Sequence, residues 1–223
     1  GGKIHSSQNM TEESSTENNG RFLRARDRSF SGLTNATEGT WKGDFSFVQL
    51  ADSQLGMLNY QDYGKGWAEE EALLRRAVAY VNRTKPRFVV VCGNLVDASP
   101  DKPKWQEAQV KSFKDIMSTV DESIPLVCLC GNHDVGNTPT RATIETYSGR
   151  FGDDFYAFWC GGVRFISLNT QLHKDSSRAA DLAAAQDAWL EAEMRKRPGD
   201  YTGTAAAAAS NGGGGGAGGS SSA

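Results

Sequence analysis

The sequence predicts an α/β fold built on a largely parallel sheet. Three observations carry that expectation. First, "FSFVQLA" at 45–51, "RFVVVC" at 87–92 and "IPLVCLC" at 124–130 are short runs of β-branched and aromatic residues, apolar enough for both faces of a strand to be covered. Second, the stretches between these runs repeat apolar residues at helical spacing. Third, Lys85-Pro86 and Ile124-Pro125 close each helical stretch just before the next run, because the residue before a proline is steered away from the helical region. The resulting order is β-α-β-α-β.

Taken along the chain, residues 1–40 are rich in Ser, Thr, Asn, Glu and Gly without apolar periodicity, and are expected to be a disordered lead-in to a domain that begins near Trp41. After the first strand, Leu73, Leu74, Ala77, Val78 and Val81 form one helical stripe. Trp105, Ala108, Phe113, Ile116, Met117 and Val120 form the next. A third helical stretch falls near 140–149. "DFYAFWC", a "GGV" turn and "RFISLNT" then read as a hairpin, and a helix at about 179–196 carries Leu182, Ala185, Trp189 and Ala192. Organised sequence stops near Pro198, so the domain is expected over 41–198, with 199–223 an Ala/Gly/Ser low-complexity tail. A βαβαβ unit with one hairpin is a small sheet with an unprotected edge, so the domain is expected to be incomplete.

A chain of 223 residues, 38% hydrophobic and 23% charged, suits one soluble core. Its net charge is −3 and its only dense basic run is "MRKR" at 194–197, which excludes the electrostatic footprint of a nucleic-acid binder. No apolar run approaches the ~20 residues that span a bilayer. The polar first twenty residues lack the apolar centre of a signal peptide, so no membrane partner is expected and the expected location is cytoplasmic. Cys92, Cys128, Cys130 and Cys160 lie inside apolar segments at spacings of neither a zinc ribbon nor a redox pair, and read as reduced core residues. Composition sets no oligomeric state.

Open parallel sheets gather ligands at the carboxyl ends of their strands. Each run here ends in polar residues: Asp52 and Gln54 in "ADSQ", Asn94 and Asp97 in "CGNLVD", and Asn132, His133 and Asp134 in "CGNHD". Oxygen and imidazole donors of this kind suit Mn, Fe, Zn or Mg, and two metals ~4 Å apart clamp both the attacking and the leaving oxygen of a phosphoryl transfer. By themselves, Asn132 to Asp134 also fit a polar turn and Asp97 a turn or helix cap.

"ADSQ", "VVVCGNLVDA", "LCGNHDVGNTPT" and "FGDDFYAFWCGGVRFISLNTQ", in this order, resemble the calcineurin-like metallophosphoesterases over roughly Trp41 to Met194, with the closest likeness to a branch of serine/threonine protein phosphatases. The resemblance implies an αββα sandwich, represented here by its first half. It also implies hydrolysis of a phosphoprotein or a small phosphoester with two divalent metal ions. It makes Asp52 a ligand of one metal and Asn132 of the other, and puts Gln54 where many relatives carry a ligand histidine. Asn94 stands where a carboxylate bridges both metals. His133 would sit over the phosphate and assist the leaving group, and Asp134 would hold the imidazole.

Two features depart from that pattern. Asn94 brings an amide, with one oxygen and no negative charge, to the bridging position. The later histidine ligands, including a Gly-His-x-His pair, have no counterpart before the Ala/Gly tail. Asp52 is then the only carboxylate among the carried-over ligands, too little charge for two divalent cations. The chain is therefore expected to turn over little or nothing, and a non-catalytic pseudophosphatase or interaction module is the alternative.

Overall fold

The computed structural model describes residues 20–201, and folded structure begins well before Trp41. Of the expected lead-in, residues 1–19 lie outside the described residues; residues 20–40 are packed into the domain. β1 (Ala25–Arg26) and β2 (Ser29–Phe30) make a minimal antiparallel ribbon, followed by α1 (Asn35–Glu38), whose first turn is capped by Thr34. Phe22, Ala25, Phe30 and Leu33 are all buried. The Phe30 ring lies 6.2 and 6.1 Å from those of Tyr156 and Phe158, and Arg21 donates to the carbonyls of Asp121 and Ile124 at 2.8 and 2.9 Å. Phe22 joins the core on the helix side and Ala25, Phe30 and Leu33 the core on the hairpin side, at irregular spacings that leave no periodic trace, which is why composition pointed the other way.

The three apolar runs become β3 (Val48–Leu50), β4 (Val89–Cys92) and β5 (Leu126–Leu129), a parallel sheet in that order. Its faces are both covered. Val89, Val91, Leu126 and Cys128 pack with α2 (Ala68–Thr84) and α3 (Pro103–Met117), whereas Phe88, Val90 and Val127 pack with β6 (Tyr156–Cys160) and β7 (Val163–Ser167). β6 and β7 form the expected hairpin, in which Phe158 faces Phe165 across the ladder with rings stacked at 5.0 Å. Phe88 meets both rings edge-on at 5.3 and 5.1 Å and so ties the two sheets together. Helices, parallel sheet and hairpin are thus stacked layers, as a metallophosphoesterase fold requires.

Helix boundaries follow local signals. α2 opens with Glu69, Glu70 and Glu71, which suit the positive end of the helix dipole, and ends on Lys85 in the left-handed region just before Pro86. α3 starts with Pro103, whose missing N–H is no loss in a first turn. Leu74, Val78 and Val81 are buried as the stripe predicts, but Leu73 is 59% exposed, near exposed Met57 and Leu58 and beside β3, which has a sheet neighbour on one side only among the described residues.

α4 (Asn132–Val135), α5 (Arg141–Phe151), α6 (Thr170–Lys174) and α7 (Ala180–Arg195) complete the chain. α7 buries Ala183, Gln186 and Glu193, while Ala185 and Ala192 of the expected face are exposed. Polar contacts set this rotation: the Gln186 Oε1 accepts the Asn169 N–H at 2.8 Å, and Glu193 forms an ion pair with Arg164 of β7. The four cysteines are free, three of them buried. Residues 202–223 of the tail lie outside the described residues, and among the described ones no helix is long and apolar enough to cross a membrane.

If residues 20–40 belong to the core, Phe30→Ala lowers the unfolding free energy by about 3–5 kcal/mol in urea titrations. A loosely attached segment would give a change within about 0.5 kcal/mol.

Candidate functional site

The carboxyl ends of β3, β4 and β5 lie side by side, so the turns that follow share one rim. Asp52, Gln54 and Asn94 all sit in the left-handed backbone region, at φ 53°, 34° and 49°. Each such non-glycine residue costs about 1–3 kcal/mol unless its surroundings fix it. Here the turns are stitched together. The Asp52 N–H donates to the Gly93 carbonyl at 3.2 Å, the Gln54 N–H to the Asn94 carbonyl at 2.9 Å, and the Ser53 hydroxyl to the Leu95 carbonyl at 2.8 Å.

The turns after β4 and β5 approach even more closely, main chain against main chain. A Cβ added to Gly93 would lie 2.6 Å from the Gly131 nitrogen, and one added to Gly131 would lie 2.6 Å from the Asn94 nitrogen. Only glycine permits that contact. Asn94 then stands between all three turns. Its Oδ1 accepts the His133 N–H at 3.1 Å, which orients the amide and turns Nδ2 toward Asp52, whose Oδ1 accepts at 2.9 Å. Asn132 and Gln54 lie half-buried on the same rim.

His133 is aimed by a different residue from the one expected. Its Nδ1 bonds the main-chain carbonyl of Asp97, with the Asp97 carboxylate 3.8 Å away. A carbonyl only accepts, so Nδ1 is the donor in this hydrogen bond and Nε2 is the nitrogen left free for another partner. Asp97, read from sequence as a turn or helix cap, is buried, and its carboxylate accepts the Tyr63 hydroxyl at 2.7 Å. Burial, together with Asp97, pushes the Tyr63 hydroxyl well above its usual pKa, so it stays a donor.

Asp134 does not hold the imidazole. Its carboxylate turns back into the protein and accepts the N–H of Gly131 at 2.7 Å and of Leu95 at 3.1 Å, clasping the turns after β4 and β5 from beneath. Burial pushes its pKa up to about 7, against the downward pull of those backbone donors. The geometry that counted in favour of a plain polar turn, an Asp capping a short helix, is present in the same residue: Asp134 closes the first turn of α4.

Sequence reading missed Gln106 and Gln109. The Gln106 Nε2 donates to the His133 carbonyl at 3.2 Å and its Oε1 accepts from Arg150 at 2.9 Å, while the Gln109 Oε1 accepts the Ala98 N–H at 2.8 Å. Both lie in phase with Val110 and Phe113 on the buried face of α3. A pair of glutamines in an otherwise apolar stripe was the available signal. His173 is exposed and pairs with Asp187 at 2.9 Å.

The donor set does not fit two divalent ions. Asp52 is the one carboxylate facing the rim from the expected ligands, and the group beside it is an amide N–H, which cannot coordinate a cation. Asn94 Oδ1 is already engaged by a backbone donor. Among the described residues no cluster of three His, Cys, Asp or Glu side chains is placed to hold a metal.

Parallel strands with Asp, Asn and Asn-His turns at their carboxyl ends, backed by a second sheet, define the phosphoesterase class of α/β protein. Residues 45–210 match the calcineurin-like phosphoesterase family, and the chain belongs to it. It is similar to serine/threonine-protein phosphatase CPPED1 of Danio rerio, 43% identical over 182 residues that cover 78% of this chain and 59% of the relative. The protein of the same name from Homo sapiens is 40% identical over 189 residues, covering 81% and 60%. Purple acid phosphatase 15 of Arabidopsis thaliana is 29% identical over 105 residues, covering 43% and 18%. The chain thus spans about 60% of the length of the CPPED1 relatives it matches. The family is one that generally uses divalent metal ions.

Asp134→Asn is expected to destabilise the fold by about 1–3 kcal/mol, because an amide accepts at one end only and leaves one buried N–H facing its own NH2. Chemical denaturation measures it, and a change within about 0.5 kcal/mol would show that the clasp contributes nothing.

Proposed function

We propose that this chain carries the substrate-facing rim of a phosphoester hydrolase acting on phosphoserine or phosphothreonine proteins in the cytoplasm. The observation that carries the reading is the imidazole of His133, fixed through Nδ1 on the Asp97 carbonyl at the lip of the strand ends. Fixing Nδ1 leaves Nε2 to face a bound phosphoester. When protonated, that nitrogen gives its proton to the leaving alkoxide as water adds to phosphorus and the ester phosphorus–oxygen bond breaks, releasing the alcohol and phosphate, while the Asp97 carbonyl and nearby carboxylate stabilise the imidazolium. The names of the CPPED1 relatives support a phosphoprotein as substrate, and a small phosphoester uses the same contacts.

The two-metal centre of the wider reading is not supported by the donors present. On its own this chain is expected to bind a phosphoester more readily than it cleaves one. The Asn94 amide at the bridging position favours the second reading, a non-catalytic phosphoester-binding module.

One experiment separates the two. The chain, assayed on p-nitrophenyl phosphate with Mn2+, is expected to run no faster than a metal-only blank. A phosphoserine peptide is expected to bind in calorimetry and to lose about tenfold in affinity, roughly 1.4 kcal/mol, with His133→Ala. Turnover above the blank that disappears in His133→Ala would establish catalysis by this chain. Absence of peptide binding would remove His133 from the substrate site.

A further inference from the structure

We infer that the Asn94 amide is a neutral, built-in substitute for a shared cation, so that the rim holds its shape without divalent metal. The inference deepens the proposed reading of the same site but stands on hydrogen bonds that involve no substrate. A cation shared by two turns has one mechanical effect, which is to draw oxygens from separate loops to a common point. Asn94 achieves the same with a donor and an acceptor. Its Nδ2 reaches the Asp52 Oδ1 at 2.9 Å on the β3 side, and its Oδ1 receives the His133 N–H at 3.1 Å on the β5 side. Its main-chain carbonyl takes the Gln54 N–H at 2.9 Å, so three turns converge on one residue.

Residue 94 has little freedom to do otherwise. Its φ of 49° is one that Asn tolerates better than most side chains, and the Gly131 main chain closes the space on its far side. The amide also solves a charge problem. A carboxylate at the same place would lose the N–H toward Asp52 and set one anionic oxygen against another at hydrogen-bond distance. Like charges so close need a cation or a shared proton between them. The present pair needs none.

Asn94→Asp should therefore convert a metal-indifferent rim into a metal-dependent one, whereas Asn94→Ala should only remove the cross-link. The test is thermal unfolding of the full chain and both variants in EDTA and in Mn2+. The expected wild-type midpoint is the same in both to within about 1 °C, while Asn94→Asp falls by about 2–8 °C in EDTA and recovers in Mn2+, and Asn94→Ala falls equally in both. A wild-type midpoint that rises in Mn2+ as far as the Asp variant would overturn the inference, as would an Asp variant indifferent to Mn2+. If Asn94→Asp does not fold without metal, it is purified in Mn2+ and the bound ion counted by electron paramagnetic resonance. The inference requires bound Mn2+ in the variant and none in the wild type; equal occupancy overturns it. Because no step involves a phosphoester, failure of peptide binding would count against the proposed function alone.

Discussion

The contact on which the rest of the site depends is the main-chain approach between Gly93 and Gly131. It brings the ends of two parallel strands closer than side chains would allow, and every rim feature follows from it. Asn94 reaches the His133 N–H because the turns touch. Asp134 can clasp Gly131 and Leu95 with one carboxylate for the same reason. His133 is in turn presented to the Asp97 carbonyl by a helical turn that starts at this contact. The polar chemistry is thus a consequence of backbone packing, and the two cores, one between sheet and helices and one between sheet and hairpin, support it from either face of β4 and β5.

The strands and helices were legible because both faces of the parallel sheet are covered, which writes unbroken apolar runs, and because each helix presents one stripe to a sheet. Where polar groups determine the packing, periodicity misleads. Gln186 and Glu193 turned α7 away from Ala185 and Ala192, and Gln106 and Gln109 lie buried because main-chain groups on neighbouring turns need partners. The N-terminal segment was illegible for another reason: its anchors are single residues that acquire meaning only from the cavities they fill, Phe30 above all.

Within the site, residue types were easier to read than residue roles. Asp52, Asn94, Asn132 and His133 do gather on one rim, since strand ends in a parallel sheet must. The partner of His133 was misassigned because adjacency in sequence does not decide direction. On a short helical turn His133 and Asp134 project differently, one to the lip and one into the protein, and the residue that reaches the imidazole comes from 36 positions earlier. The orientation of the Asn94 amide was likewise invisible until the acceptor for the His133 N–H was known.

β3 has its own bearing on how the molecule behaves as a material. It is one of the two outer strands of its sheet among the described residues, β5 being the other, and Leu73, Met57 and Leu58 lie uncovered in its neighbourhood. An outer strand with unpaired backbone groups and greasy flanks is a template for another strand. A strand added beside β3 would cover those side chains as well as pair the backbone, so on that side sheet extension and apolar burial would be a single event.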